Sequence, residues 1–200
     1  MALATVLEAA RAMEDDTGGP TIEELYESLD LPGHRVELLE GRIVVSPAPI
    51  KMHNRIVTWL SDALRELCDQ HGLDRLTHGT IELPKTSERI QPDLFICPAD
   101  ESTDGEWLLS AEDVLLAVEV VSPSSRRDDY VVKRASCAQS EIPLYLIIDP
   151  RESLITLFAG PSPRGYLRSA AVPIGEKLDL PEPFGIVVDT ATMPGKPAEQ

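Results

Sequence analysis

Cysteine is scarce, with three in 200 residues, at positions 68, 97 and 137. They form no C-x-x-C pair and stand far from any histidine at zinc-finger spacing. That argues against a disulfide framework and a structural zinc site, and it fits a reducing compartment. Cys97, in the apolar run LFIC, reads as a small core residue. Basic residues are also few: 18 Lys and Arg face 34 Asp and Glu, a formal charge of −16. Affinity for nucleic acid comes largely from neutralising phosphates. Such a chain is no promiscuous DNA binder unless its basic residues gather on one face. No apolar run approaches the length of a membrane span, and MALATVLEAARAMEDD lacks the basic start and cleavage pattern of a secretory signal. The expected location is the cytoplasm. A P-loop, a G-x-G-x-x-G and a G-x-S-x-G are all missing, which argues against nucleotide-phosphate enzymes and serine hydrolases. Ser122, Ser124 and Ser125 read as capping residues at a strand end.

What is present suits one globular domain: 42% apolar and 26% charged residues, with 17 prolines and 12 glycines scattered as turn punctuation. We place the domain at 21–193, after an N-terminal extension (1–20) with a short helical run (ATVLEAARAM) and before a disordered tail (194–200). Thr21 and Glu24 form a capping-box pair before a helix with Ile22, Leu25 and Leu29 on one face. RVELLEGRIVV reads as a hairpin turning at Glu40–Gly41. Residues 52–70 carry a helical stripe of Ile56, Val57, Leu60, Leu64 and Leu67, with His53 one turn earlier on the same stripe. One strand is expected across RLTHGTIEL, and another at LFIC after Gln91-Pro92-Asp93. The acidic stretch 98–112 reads as a surface loop. VLLAVEVV (114–121) is apolar on both faces except for Glu119 and belongs in the centre of a covered sheet. Ser125 and Asp128 make a second capping-box pattern before a helix over 126–140. LYLIID is a buried strand, and 153–158 with 165–172 a further hairpin. Alternation of both element types predicts an α/β (α+β) fold with a mixed sheet.

Two acids stand out. An ionised carboxylate within an apolar strand costs several kcal/mol unless compensated, so Glu119 either reaches solvent or an arginine at a strand end, or serves a site. Asp93 opens a short apolar strand after a proline, where an aspartate is a common turn residue. Acids on successive strands of one sheet repel each other and raise their pKa values unless a cation lies between them. Magnesium takes a few carboxylates plus waters.

Asp93 in QPD, Glu119 in VEVVSPSS and Lys133 in RRDDYVVKR resemble the D…E-x-K signature of PD-(D/E)XK nucleases. The ordered set of RVELLEG, a histidine opening the next helix, QPDLFI, VEVVSPSS, an Asp–Lys helix and YLIIDP is similar to the Uma-type restriction endonuclease family over residues 21 to 190. The resemblance implies a restriction-endonuclease-like fold, with a mixed sheet flanked by helices and added hairpins at both ends. It also implies Mg2+-dependent hydrolysis of nucleic acid, DNA first, with Mn2+ as a substitute. One departure is clear: Val121 stands at the lysine position of E-x-K, and Lys133 from the following helix is the matching residue. Asp129 and Lys133 are also an i,i+4 pair, which on a solvated face is worth only a few tenths of a kcal/mol. Glu37 completes the carboxylate set of Asp93, Glu119 and Glu37 as metal ligands, while Glu40 belongs to the turn. His53 is either a core histidine or an accessory at the metal edge. Lys51, Arg55, Arg126, Arg127 and Arg134 are candidate phosphate contacts. Cleavage of both strands suggests a homodimer. The rival is a noncatalytic nuclease-fold binding or assembly protein, consistent with the −16 charge and Val121.

Overall fold

The computed structural model describes residues 19–195. The expected helical run within 1–18 and the end of the tail, 196–200, lie outside them. Helix α1 (Ile22–Ser28) starts with both halves of the capping box: Glu24 N–H donates to Thr21 Oγ1 at 3.2 Å, and Thr21 N–H to Glu24 Oε2 at 2.7 Å. Strands β1 (His34–Leu39) and β2 (Arg42–Pro47) pair antiparallel around Glu40 and Gly41. Both turn residues have positive φ, 49° and 67°, as a two-residue hairpin turn matched to strand twist requires. Helix α2 (Lys51–His71) buries Ile56, Val57, Leu60, Leu64 and Cys68, and ends at left-handed Gly72.

The single strand expected across RLTHGTIEL is corrected to two. Strand β3 (Leu73–Leu76) and β4 (Thr80–Leu83) belong to different sheets. The chain changes sheets over the Phe95 ring at Gly79, where a Cβ would lie 2.8 Å from Phe95 Cζ. Two three-residue strands, β5 (Glu88–Ile90) and β7 (Leu108–Ser110), are further additions, and β7 interrupts the stretch expected to be loop. Both are too short to show a period of two.

Strands β6 (Leu94–Pro98), β8 (Leu116–Val120), β9 (Leu144–Asp149), β10 (Leu154–Ala159) and β11 (Arg168–Pro173) complete a six-stranded sheet in the order β11-β10-β9-β8-β6-β3. Only its β8–β9 pair is parallel, because a helix crosses between them. The five-stranded sheet runs β2-β1-β5-β4-β7. A last hairpin pairs β12 (Lys177–Leu180) with β13 (Ile186–Asp189).

The six-stranded sheet is covered on both faces. Leu116, Val118 and Val120 of β8 pack with the α2 stripe and the last hairpin. Ala117 and Val121 face the second sheet, with Ile81, Ile90 and Phe95. Alternation therefore puts Glu119 on the second face. The helix that crosses there begins at Arg126, widens to a π turn over Asp128–Lys133 and continues as α3 (Arg134–Gln139). Its expected Ser125–Asp128 capping box does not form. Ser125 Oγ instead accepts from the Ser122 amide at 3.0 Å, and the carboxylate of Asp128 pairs with Arg127.

Candidate active site

Five segments of the chain aim polar side chains into one cleft. Asp93, just before β6, donates its amide to Val118 O at 3.0 Å and accepts the Val120 amide on Oδ2 at 2.7 Å. Its carboxylate is thereby pinned beside Glu119 on β8. Glu37 projects from β1, where its Oε1 accepts the Gln91 amide at 2.8 Å. Arg35, two residues earlier, shares that face of the strand. Asp129 and Lys133, four residues apart on one face of the helix at its π turn, are both buried toward the cleft. Lys133 Nζ lies 2.9 Å from Glu37 Oε1, 3.1 Å from Glu119 Oε1 and 3.5 Å from Asp129 Oδ1. Arg35 bridges Asp93 Oδ1 at 2.5 Å and Glu119 Oε2 at 3.9 Å. His53, from the first turn of α2, sets Nε2 3.0 Å from Asp93 Oδ1, out of line for a hydrogen bond.

The four residues expected to be catalytic, Glu37, Asp93, Glu119 and Lys133, thus meet, and His53 joins them. The alternative of a solvated Asp129–Lys133 pair is overturned, because both residues are buried. Sequence reading missed Arg35 and the inward role of Asp129. The signal for Arg35 was its i−2 spacing from Glu37 on an alternating strand. For Asp129 it was the i,i+4 spacing itself, which cannot tell an inward pair from an outward one.

The cluster's charges do not balance: four carboxylates (Glu37, Asp93, Glu119, Asp129) face two permanent cations, Arg35 and Lys133. Burial works against ionised Asp93, but His53, Arg35 and the Val120 amide outweigh it and hold the carboxyl down at about 2. Burial drives Glu119 well above the usual carboxylate range, with Asp129 and Asp93 adding to the push and Lys133 resisting it. Burial, reinforced by Asp93 and Glu37, raises Asp129 to about 6. Burial also opposes the charge on Lys133, yet Glu119, Glu37 and Asp129 around it keep its proton bound well above the usual ammonium range.

Among the described residues, no three His, Cys, Asp or Glu side chains form a ready-made metal cage; Lys133 and Arg35 stand among the acids instead. The donor set nevertheless suits a hard divalent ion. All four acids offer oxygen, the charge deficit is two, and among the described residues the buried Asp129 Oδ1 has no hydrogen-bond partner, only Lys133 Nζ at 3.5 Å.

The cluster floors a cavity of about 260 Å³ between the segment Ser46–Ile50, which runs off the end of β2, and the Ser122–Ser125 turn. An adjoining groove of about 510 Å³ shares Arg35, His53 and Asp93 as its wall. None of the five expected phosphate contacts lines the cavity. Lys51 and Arg55 are exposed at the start of α2 and flank a separate hollow. Arg126 is tied to Asp149 and Glu152, and Arg127 to Glu40 and Asp128. Arg134 lies 5.0 Å above the Phe158 ring.

Residues 22–191 match the family model Uma2, described as "Putative restriction endonuclease". The chain belongs to the Uma2 family. Its fold is similar to that in the "Crystal structure of a putative nuclease belonging to DUF820 from Anabaena variabilis ATCC 29413", at a TM-score of 0.71 and 14% identity, covering 87% of this chain and 97% of that one. At such low identity the likeness speaks for the fold. No curated protein matches. In this Uma2 chain the β8–helix–β9 unit supplies Glu119, Asp129 and Lys133, and β1 supplies Arg35 and Glu37. No helix among its described residues is long and apolar enough to cross a membrane.

Proposed function

We propose that this Uma2 protein is a metal-dependent endonuclease that hydrolyses phosphodiester bonds of nucleic acid, with DNA as its substrate. The observation that carries the reading is the buried cluster, in which one lysine is shared by three carboxylates and the acids still outnumber the cations by two. Asp93, Glu119 and Glu37 would hold Mg2+, with Mn2+ as a substitute, and Asp129 Oδ1, ion-paired with Lys133 but without a hydrogen bond, lies beside them. When bound there, such an ion polarises a phosphate and lowers the pKa of a coordinated water.

The remaining roles belong to the chain itself. Lys133 is fixed by Glu37 and Glu119 and stays charged, so it can orient a water or offset charge that develops on the phosphate. Val121, at the lysine position of the family signature, is buried in the core, and the helix lysine fills the role it leaves open. His53 and Arg35 hold Asp93 in its ionised form, and the Val120 amide keeps its carboxylate oriented. A homodimer in the cytoplasm, with two sites related by symmetry, would suit cleavage of both strands.

A second reading, a noncatalytic binding or assembly module, is favoured by the −16 charge and by Arg126 and Arg127 being paired with acids. Supercoiled plasmid and single-stranded DNA, incubated with Mg2+, Mn2+ or chelator, decide between the two. Metal-dependent cleavage by the protein, lost in Asp93→Ala, is the expected result. A folded protein that cleaves neither substrate under any condition supports the second reading.

A further inference from the structure

Arg35 is the one cation of the cluster that also reaches the outside. Its side chain is 24% exposed, whereas those of Asp93, Glu119, Glu37 and Lys133 are 2% to 4% exposed. It lines both the catalytic cavity and the adjoining groove. A phosphate approaching the buried acids from either side therefore meets its guanidinium before it meets Lys133. That group is a planar fork of donors, suited to bidentate recognition of phosphate.

The partners of Arg35 are equally informative. It rests on Asp93 Oδ1 and Glu119 Oε2, oxygens of two of the acids expected to bind metal. Removing it from a cluster already short of positive charge would leave Lys133 alone against four carboxylates. Its present place and a divalent ion's place are thus alternatives in charge, and the guanidinium has solvent-facing room to turn.

We propose that Arg35 has two successive jobs: counter-ion to Asp93 and Glu119 while the cluster lacks a metal, and phosphate-binding residue once a metal neutralises those acids. The phosphate half rests on the nuclease reading; the counter-ion half rests on the geometry alone.

The test uses the full chain, comparing wild type with R35Q and R35K, each checked for folding by circular dichroism. Mn2+ binding is titrated calorimetrically without nucleic acid, and cleavage kinetics are measured separately. R35Q is expected to bind Mn2+ at least as tightly as wild type, because a competing cation is gone, while KM for DNA rises roughly tenfold or more. R35K should bind Mn2+ like wild type and recover only part of the KM, because an ammonium cannot fork across two phosphate oxygens. Should R35Q fail to fold, R35K carries the test: wild-type Mn2+ affinity with a raised KM is expected, and a changed Mn2+ affinity overturns the counter-ion role while an unchanged KM overturns the phosphate role. Weaker Mn2+ binding by a folded R35Q overturns the counter-ion role. An unchanged KM in an active wild-type background overturns the phosphate role. Absence of cleavage by wild type overturns the proposed function and the phosphate role with it, while the Mn2+ titration still decides the counter-ion role.

Discussion

The two ends of strand-to-helix unit β8–α3–β9 each bury carboxylate, and they do so in opposite ways. At the end of β9, Asp149 is fully buried and fully served. It pairs with Arg126 and accepts from Tyr130 Oη at 3.3 Å and from the amides of Arg151 and Glu152 at 3.1 and 3.2 Å. Burial, with the Asp149 charge beside it, pushes the Tyr130 phenol up to about 12, so it remains a donor. One acid with four donors is a lock: it fastens the first turn of the helix to the strand that follows. In the cleft, the same helix presents Asp129 and Lys133 to a cluster with too few cations and with the Asp129 Oδ1 atom left without a hydrogen bond. A satisfied buried charge marks structure, and an unsatisfied one marks a place where something else binds.

Three substitutions would break or sharpen that contrast. The largest effect is expected at the cleft: Lys133→Ala should lower the cleavage rate by about 10³-fold or more, while Mn2+ binding persists. Cleavage that survives in single-turnover assays would reduce Lys133 to a structural lysine, and the cleft would then resemble the Asp149 lock. At the lock, Asp149→Ala should cost about 2–3 kcal/mol in urea unfolding, because a buried acceptor site with four donors is emptied. Half-exposed Arg126 limits that cost, since it regains water. Metal affinity should hardly change; a large loss of affinity with no loss of stability would move Asp149 into the functional set.

The smallest effect concerns pH. The Asp129 carboxyl is raised from the ordinary 3.8 to about 6 by burial, so the folded chain holds a proton there that the unfolded chain releases. Between those values its contribution makes the metal-free protein less stable as pH rises. Asp93 works in reverse: held at about 2, it adds stability above the ordinary carboxyl value and loses it as pH falls toward 2. Asp129→Asn should therefore raise the stability of chelator-treated protein near pH 7.5, by at most about 3 kcal/mol. Near pH 4 it should change little. Melting curves at both pH values check this, and equal effects at the two would remove the ionisation of Asp129 from the account.

Much of the frame was legible in advance because it depends on neighbours in the chain. The Glu40–Gly41 hairpin, the α2 stripe and the buried β8 strand follow from turn chemistry and from periods of 3.6 and 2. The acids Glu37, Asp93 and Glu119 and the lysine Lys133 were visible through the ordered resemblance to a family, and the structure brings all four together. Strands β5 and β7 carried too few residues for any period. The change of sheet at Gly79 was invisible because it answers to Phe95, sixteen positions away and packed against it.

The sequence by itself determined which residues carry charge, where the chain turns and which face of each long element is apolar, since those are properties of short windows. Only the tertiary structure decided which charges meet. It wound a π turn that carries Asp129 and Lys133 inward, and it laid Arg35 across Asp93 and Glu119 from another sheet. It also drew Arg126 and Arg127 onto acids instead of leaving them around the cleft. The energy of a buried charge is set by the partners around it, and those partners come from strands and helices far apart in the chain.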